Sequence, residues 1–151
     1  MKTTDALVRE LADRAAIHEL SDRYCDCVWR KDLDGLVSLF TDDGTFVVEG
    51  VEREAISHGR ARLKQVYEKA ITEMDPRLFS HTHIVDLLDG NRATGRCYAE
   101  VFSAKFGMRR VGLGYYEDEY AKKGDHWKFA CRRYFLDTID TEVSLRKTFM
   151  P

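Results

Sequence analysis

The sequence lacks most of the features that assign a chain quickly. No apolar run approaches the ~20 residues needed to cross a bilayer, so no membrane span or membrane partner is expected. The N-terminus carries Lys2, Asp5, Arg9, Glu10, Asp13 and Arg14. A secretory signal needs an uncharged apolar core, so a cytoplasmic location is expected. There is no excess of positive charge: 24 basic residues stand against 26 acidic ones, a net −2. Nucleic-acid binders gather cations on one face, so no nucleic-acid partner is expected. The pairs Arg109-Arg110, Lys122-Lys123 and Arg132-Arg133 read as solvated strand and turn positions. Cysteine is sparse, with Cys25, Cys27, Cys97 and Cys131 alone. None of these forms a C-x-x-C pair. On a helix Cys25 and Cys27 point about 200° apart and do not easily share a metal, so inert buried thiols are expected. Only two prolines occur, and neither interrupts a strand-like run. The strands can therefore be long and strongly twisted.

What is present suits one ordinary domain spanning 1–151. The chain has 151 residues, 44% hydrophobic and 33% charged, a size and balance typical of a single globular unit. Residues 5–30 read as a helix, because Leu7, Leu11, Ala15, Ile17, Leu20, Tyr24, Cys27 and Val28 recur mostly at three- and four-residue steps. Thr3 or Thr4 can cap its start. A short second helix is predicted over 33–40, and Thr41-Asp42-Asp43-Gly44 is a strong turn signal. A first strand is predicted over 45–49, with Phe46 and Val48 on one face. A third helix is predicted over 59–74, ended by Asp75-Pro76. Four strand-like runs follow, at 79–88, 93–106, 109–121 and 127–137, with turn signals at Asp89-Gly90-Asn91 and Lys122 to Asp125.

Helices first, then a strand, a helix and an antiparallel meander, argue α+β rather than alternating α/β. A long antiparallel sheet must bury one face, and three amphipathic helices are available to cover it. The expected fold is a cone-shaped barrel of a curved, mostly antiparallel sheet, with the helices enclosing a pocket.

Strand alternation places Phe79, His81, His83 and Val85 on one face. Two imidazoles at i and i+2 stand ~7 Å apart, and histidine is the side chain best suited to move protons near neutral pH. His81, or else His83, is therefore the candidate general acid or base. Two imidazoles do not make a metal site, so no metal is expected. On the second run of the meander Gly95, Cys97, Ala99, Val101 and Ser103 share a face. That wall is small and apolar apart from Ser103, which suits an apolar or aromatic ligand.

Several segments resemble one family in the same order. These are Arg14-Ala-Ala-Ile-x-Glu-Leu-x-x-x-Tyr24, Lys31-Asp-x-Asp34-x-Leu and Leu39-Phe-Thr-Asp-Asp-Gly44. Asp89-Gly-x-x-Ala93-Thr-Gly-Arg-x-Tyr98, Tyr116-x-Asp-Glu-Tyr120, Gly124-x-x-Trp127-Lys-Phe and Arg133-Tyr134 follow. Together they resemble a SnoaL-like domain of the nuclear-transport-factor-2-like superfamily, nearest the scytalone dehydratase and bile-acid 7α-dehydratase relatives. The resemblance implies a deep apolar pocket, no cofactor, and a homo-oligomer, dimer or trimer. It implies lyase or isomerase chemistry on a small apolar or cyclic hydroxy or keto compound. It also extends to non-catalytic binding domains and to the small subunit of aromatic-ring hydroxylases.

The resemblance implies that Tyr24 lies in the site, where its hydroxyl would polarise a carbonyl. It also puts Trp29 where relatives carry the carboxylate that pairs with the catalytic histidine. Asp22 and Asp26 fall off the apolar stripe. The expected pocket is thus walled by Tyr24, Trp29, Phe46, Phe79, His81, Cys97, Ala99 and Val101. Tyr24, Ser103 or backbone is expected to orient the histidine in place of the missing acid.

Overall fold

The computed structural model describes residues 1–49 and 55–139, with backbone alone at 138–139. Helix α1 is Thr4–Arg30, α2 is Leu33–Ser38 and α3 is Arg60–Met74. The strands are β1 Phe40–Glu49, β2 Ala55–His58, β3 Pro76–Leu87, β4 Arg92–Ser103, β5 Arg109–Lys123 and β6 His126–Ile139.

Local chemistry explains the helix ends. The Thr3 hydroxyl accepts the Ala6 amide at 3.2 Å, and Asp5 occupies the first turn, where the helix dipole favours an acid. Lys31 closes α1 in the left-handed conformation, φ 59°. The buried stripe of α1 is Ile17, Leu20, Ser21, Tyr24 and Val28. Leu7 and Leu11, expected on that stripe, are 46% and 67% exposed. Gly59 precedes α3 at φ 81°, a backbone conformation that side-chain-bearing residues rarely adopt.

The sheet order is β2-β1-β6-β5-β4-β3. β1 and β6 run parallel and every other pair is antiparallel. The sheet is mixed and unclosed, with β2 and β3 as its edges. Helix α1 packs along β3, while α2 and α3 pack on each other and on β1. Among the described residues no helix is long and apolar enough to cross a membrane.

Three differences from the sequence reading have physical causes. β1 starts at Phe40 rather than at Thr45, so α2 stops at Ser38 instead of residue 40. Phe40 pairs with Phe129, and the Asp42-Asp43-Gly44 turn signal is absorbed as a register shift between Phe40 and Thr45. The four-residue strand β2 was not foreseen. Pro76 opens β3 at the sheet edge, where its missing N–H is tolerated.

The third difference decides the site. Ser80 pairs with Ala99 and His83 with Cys97, so three steps on β3 match two on β4. This bulge puts Ser80 and His83 on the same, inner, face and turns His81 outward.

Candidate functional site

Five tyrosines stand on the inner side: Tyr24 from α1, Tyr67 from α3, Tyr116 and Tyr120 from β5, and Tyr134 from β6. All are at most 4% exposed. Alternation on β5 brings Tyr116, Asp118 and Tyr120 to one face. Antiparallel pairing then sets Arg132 opposite Asp118 and Tyr134 opposite Tyr116.

Under α1 and α3 lies an apolar cavity of about 60 Å³. Tyr24, Val28, Phe46, Tyr67, Met74, Leu78, Val101, Tyr116 and Tyr134 are among its walls. That space exceeds the ~10–15 Å³ that one water needs and falls below the ~300 Å³ of a drug-sized pocket. It is also smaller than the ~150 Å³ cavity that takes up benzene, so a compact ring enters only as the lining side chains give way. The Tyr24 hydroxyl donates to the Tyr67 hydroxyl at 3.0 Å. The Tyr134 hydroxyl is buried and has no hydrogen-bond partner among the described residues, which carries an unmet desolvation cost. Burial pushes the Tyr24 phenol above its ordinary pKa and those of Tyr67 and Tyr116 well above it. They act as donors, not bases.

Behind this cavity sits a buried cation. Arg132 is 0% exposed, and its guanidinium carbon lies 3.7 Å from the Tyr116 ring centre, 4.1 Å from Tyr24 and 4.5 Å from Phe129. Its Nε is 3.3 Å from Asp118 Oδ1. The Tyr120 hydroxyl donates to Asp118 Oδ2 at 2.9 Å. His83 Nε2 lies 2.9 Å from the Tyr120 oxygen, and His83 Nδ1 lies 3.0 Å from His18 Nδ1 on exposed α1 surface. The result is one continuous polar chain: His18, His83, Tyr120, Asp118, Arg132.

Burial drives both titrations in that chain. It raises Asp118 to about 6 against the pull of the Arg132 cation and the Tyr120 hydrogen bond. It lowers His83 to about 4, helped by His18 and Arg132. At neutral pH Asp118 is ionised and His83 is neutral. Glycine makes room for the chain. A Cβ at Gly95 would stand 3.0 Å from the Tyr120 hydroxyl and 2.7 Å from the Ile84 carbonyl oxygen.

The expected site residues separate into three groups. Tyr24, Phe46 and Val101 line the cavity. Cys97, Ala99 and Ser103 are buried on the inner face beside it. The Ser103 hydroxyl donates to the Met74 carbonyl and does not reach a histidine.

His81, Trp29 and Phe79 lie outside. The His81 side chain is 51% exposed, with Nε2 2.8 Å from Glu100. Trp29 and Phe79 are 40% and 42% exposed and pack edge to face. Trp29 Nε1 donates to the Leu78 carbonyl at 2.8 Å, so it caps the sheet edge and forms no aromatic wall of the cavity. The β3 bulge explains His81 and Phe79, which precede the change of phase. The expected orienting partner of the histidine is also corrected. His83 meets Tyr120, and a carboxylate, Asp118, stands one hydroxyl beyond. Tyr67, Tyr120, Asp118 and Arg132 were missed. Period-two alternation of Tyr116, Asp118 and Tyr120 was a readable signal for two members of this polar chain and one cavity wall, and Arg132 required the strand register.

Among the described residues no group of three or more His, Cys, Asp or Glu is placed to hold a metal. The Cys25 thiol is 2.9 Å from the Ser80 hydroxyl, and burial raises its pKa. This keeps the thiol protonated and inert. A larger groove, about 480 Å³, crosses the outer sheet face past Ile84, Arg96, Glu117 and Arg133. Arg96 and Glu117 are ion-paired there at 2.9 Å.

The sequence pattern of the SnoaL-like domain matches residues 9–133. The chain belongs to the SnoaL-like domain family. Three solved structures illustrate the fold of this SnoaL-like protein. A protein of unknown function from Mycobacterium tuberculosis, Rv3472 with D26N, is 25% identical, covers 91% of this chain and 79% of its own, and has a TM-score of 0.79. A candidate scytalone dehydratase from Novosphingobium aromaticivorans is 17% identical, with 89% and 90% covered and a TM-score of 0.75. A hexachlorocyclohexane dehydrochlorinase, LinA Type2, is 17% identical, with 88% and 90% covered and a TM-score of 0.75. No curated protein sequence matches the chain closely enough to count as a relative.

Proposed function

We propose that this SnoaL-like domain binds a compact, mostly apolar or cyclic molecule carrying one carbonyl or hydroxyl, in the cavity between α1, α3 and the sheet. One observation carries the reading: the buried Tyr134 hydroxyl borders an otherwise apolar cavity and has no partner among the described residues. A ligand oxygen there would satisfy it, and would also meet the Tyr24–Tyr67 hydroxyl pair.

A second reading is a cofactor-independent lyase or isomerase acting on the same class of molecule. Arg132 favours it, because a buried cation stacked on Tyr24 and Tyr116 stabilises negative charge developing on an oxygen held by these phenols. That is the electrophilic half of an elimination or enolisation. The cavity walls given by the described residues include no imidazole, carboxylate or amine. His83 stands in the polar chain behind them. The proton-removing half is therefore missing from the wall, and binding is the leading reading.

Titration with phenol, cyclohexanone and toluene, followed by chemical-shift changes, tests it. Phenol and cyclohexanone should perturb Tyr24, Tyr67 and Tyr134. Toluene should bind about tenfold more weakly, which is the worth of one hydrogen bond. Shifts confined to the outer sheet face, or equal affinity for all three, would refute the reading. Turnover of hydroxy or keto cyclic compounds that falls in Tyr67→Phe would promote the enzyme.

A further inference from the structure

Hydrogen-bond counting fixes the direction of the whole polar chain. Ionised Asp118 can only accept, so the Tyr120 O–H points at it, at 2.9 Å. The Tyr120 oxygen then accepts from His83, so His83 carries its proton on Nε2 and presents a bare Nδ1. That Nδ1 needs a donor, and among the described residues the atom against it is His18 Nδ1, at 3.0 Å. His18 therefore carries its proton on Nδ1 and turns Nε2 outward. Every donor points from the surface toward Asp118.

We propose that His18, His83 and Tyr120 form a proton relay that exchanges the proton of buried Asp118 with solvent, and so sets the net charge behind the tyrosine-lined cavity. The step balances with one proton from water. His18 Nε2 gains that proton and His18 Nδ1–H passes to His83 Nδ1. His83 Nε2–H passes to the Tyr120 oxygen, and the Tyr120 O–H passes to Asp118. Afterwards Asp118 donates to Tyr120, Tyr120 donates to His83 Nε2, and His83 Nδ1–H donates to His18. Both imidazoles have changed tautomer, and neither is left as imidazolium.

The groups facing Asp118 suit this role. Asp118 meets Arg132 from β6 and Tyr120 from its own strand, with His83 from β3 one hydroxyl away, and it also borders the outer groove with Asp86 from β3, Arg96 from β4, Glu117 and Glu119 from β5, and Cys131 and Arg133 from β6. Of the groups at the carboxylate itself, Arg132 and Tyr120, Arg132 alone is charged. Ser21 bonds Cys97 at 3.6 Å and Arg132 at 3.5 Å, so it offers Asp118 no competing donor. With Asp118 neutral, Arg132 is an uncompensated cation against Tyr24 and Tyr116. The cavity then favours an anionic ligand oxygen, a phenolate, enolate or carboxylate. The relay stands whether or not the proposed ligand binding holds, because its test uses no ligand.

Nitrogen-detected NMR of histidine in the full chain, with the Asp118 carboxyl carbon followed in parallel, reads the relay directly. At pH 8 His83 should be the Nε2–H tautomer and His18 the Nδ1–H tautomer. As pH falls toward 5, both should invert at the midpoint of the Asp118 carboxyl. In Tyr120→Phe the carboxyl should still titrate while His83 keeps one tautomer. His18 is exposed, so His18→Ala should fold, and it should slow proton exchange at the Asp118 carboxyl at least tenfold. The relay is overturned if His83 is the Nδ1–H tautomer at pH 8. It is also overturned if the incoming proton stays on His18 while Asp118 remains ionised, or if Asp118 titrates with His83 unchanged in the wild type.

Discussion

Replacing Asp118 with Asn tests the energetics of the buried pair, because the sign of its effect is not obvious. Asn keeps an acceptor for the Tyr120 hydroxyl and mimics the protonated acid. The folded pKa of Asp118 is about 6, against about 3.9 in the unfolded chain. A raised carboxyl stabilises the fold while protonated. That contribution is fully present below the unfolded value and is lost as pH rises through about 6. Two units at about 1.4 kcal/mol each give about 3 kcal/mol. The stability difference between Asp118→Asn and the wild type should therefore move by about 3 kcal/mol in favour of Asn between pH 4 and pH 7.5. His83, lowered to about 4, gains stability as pH rises over this range. It does so in both proteins, so it drops out of the difference. Urea unfolding at four pH values and one ionic strength measures it. Asp118→Ala, which leaves the Tyr120 donor and Arg132 unpaired, should instead cost about 3–5 kcal/mol. The reasoning is refuted if the Asn difference is flat with pH. It is equally refuted if Asn loses several kcal/mol at pH 7.5 and little at pH 4, for then Arg132 outweighs burial.

Tyr134→Phe removes a buried hydroxyl that has no partner among the described residues. It should raise stability by about 1 kcal/mol in urea and weaken phenol binding about tenfold by calorimetry. His81→Gln breaks an exposed contact with Glu100. It should change stability by less than ~1 kcal/mol and leave ligand binding unchanged, whereas His83→Gln should alter the pH dependence of unfolding between about 4 and 6.5. Gly95→Ala drives a methyl against the Ile84 carbonyl and the Tyr120 hydroxyl. It should cost about 1–3 kcal/mol and shift the Tyr120 proton resonance; an unaffected resonance would show that the ring does not depend on that space.

Composition and periodicity determined a good deal of this protein. The α1 positions Ile17, Leu20, Tyr24 and Val28 follow from helical spacing, and Cys97, Ala99, Val101 and Ser103 share their face by strand alternation. Both are local rules that each residue obeys through its own backbone. The ordered motifs around Arg14 to Tyr24 and Tyr116 to Tyr120 carried the family. Tertiary structure alone decided the phase of β3. Pairing with β4 inserted one residue between Ser80 and His83, and no pattern within the strand encodes which neighbour will impose a bulge. That one residue moved His81 to solvent and left His83 inside. The register of β5 on β6 likewise decided that Arg132 would face Asp118 and lie between Tyr24 and Tyr116. In the sequence Arg132 is one of two adjacent arginines, with nothing to mark which is buried. A charge enters a core only where a partner from a distant strand meets it, and that meeting exists only once the sheet has formed.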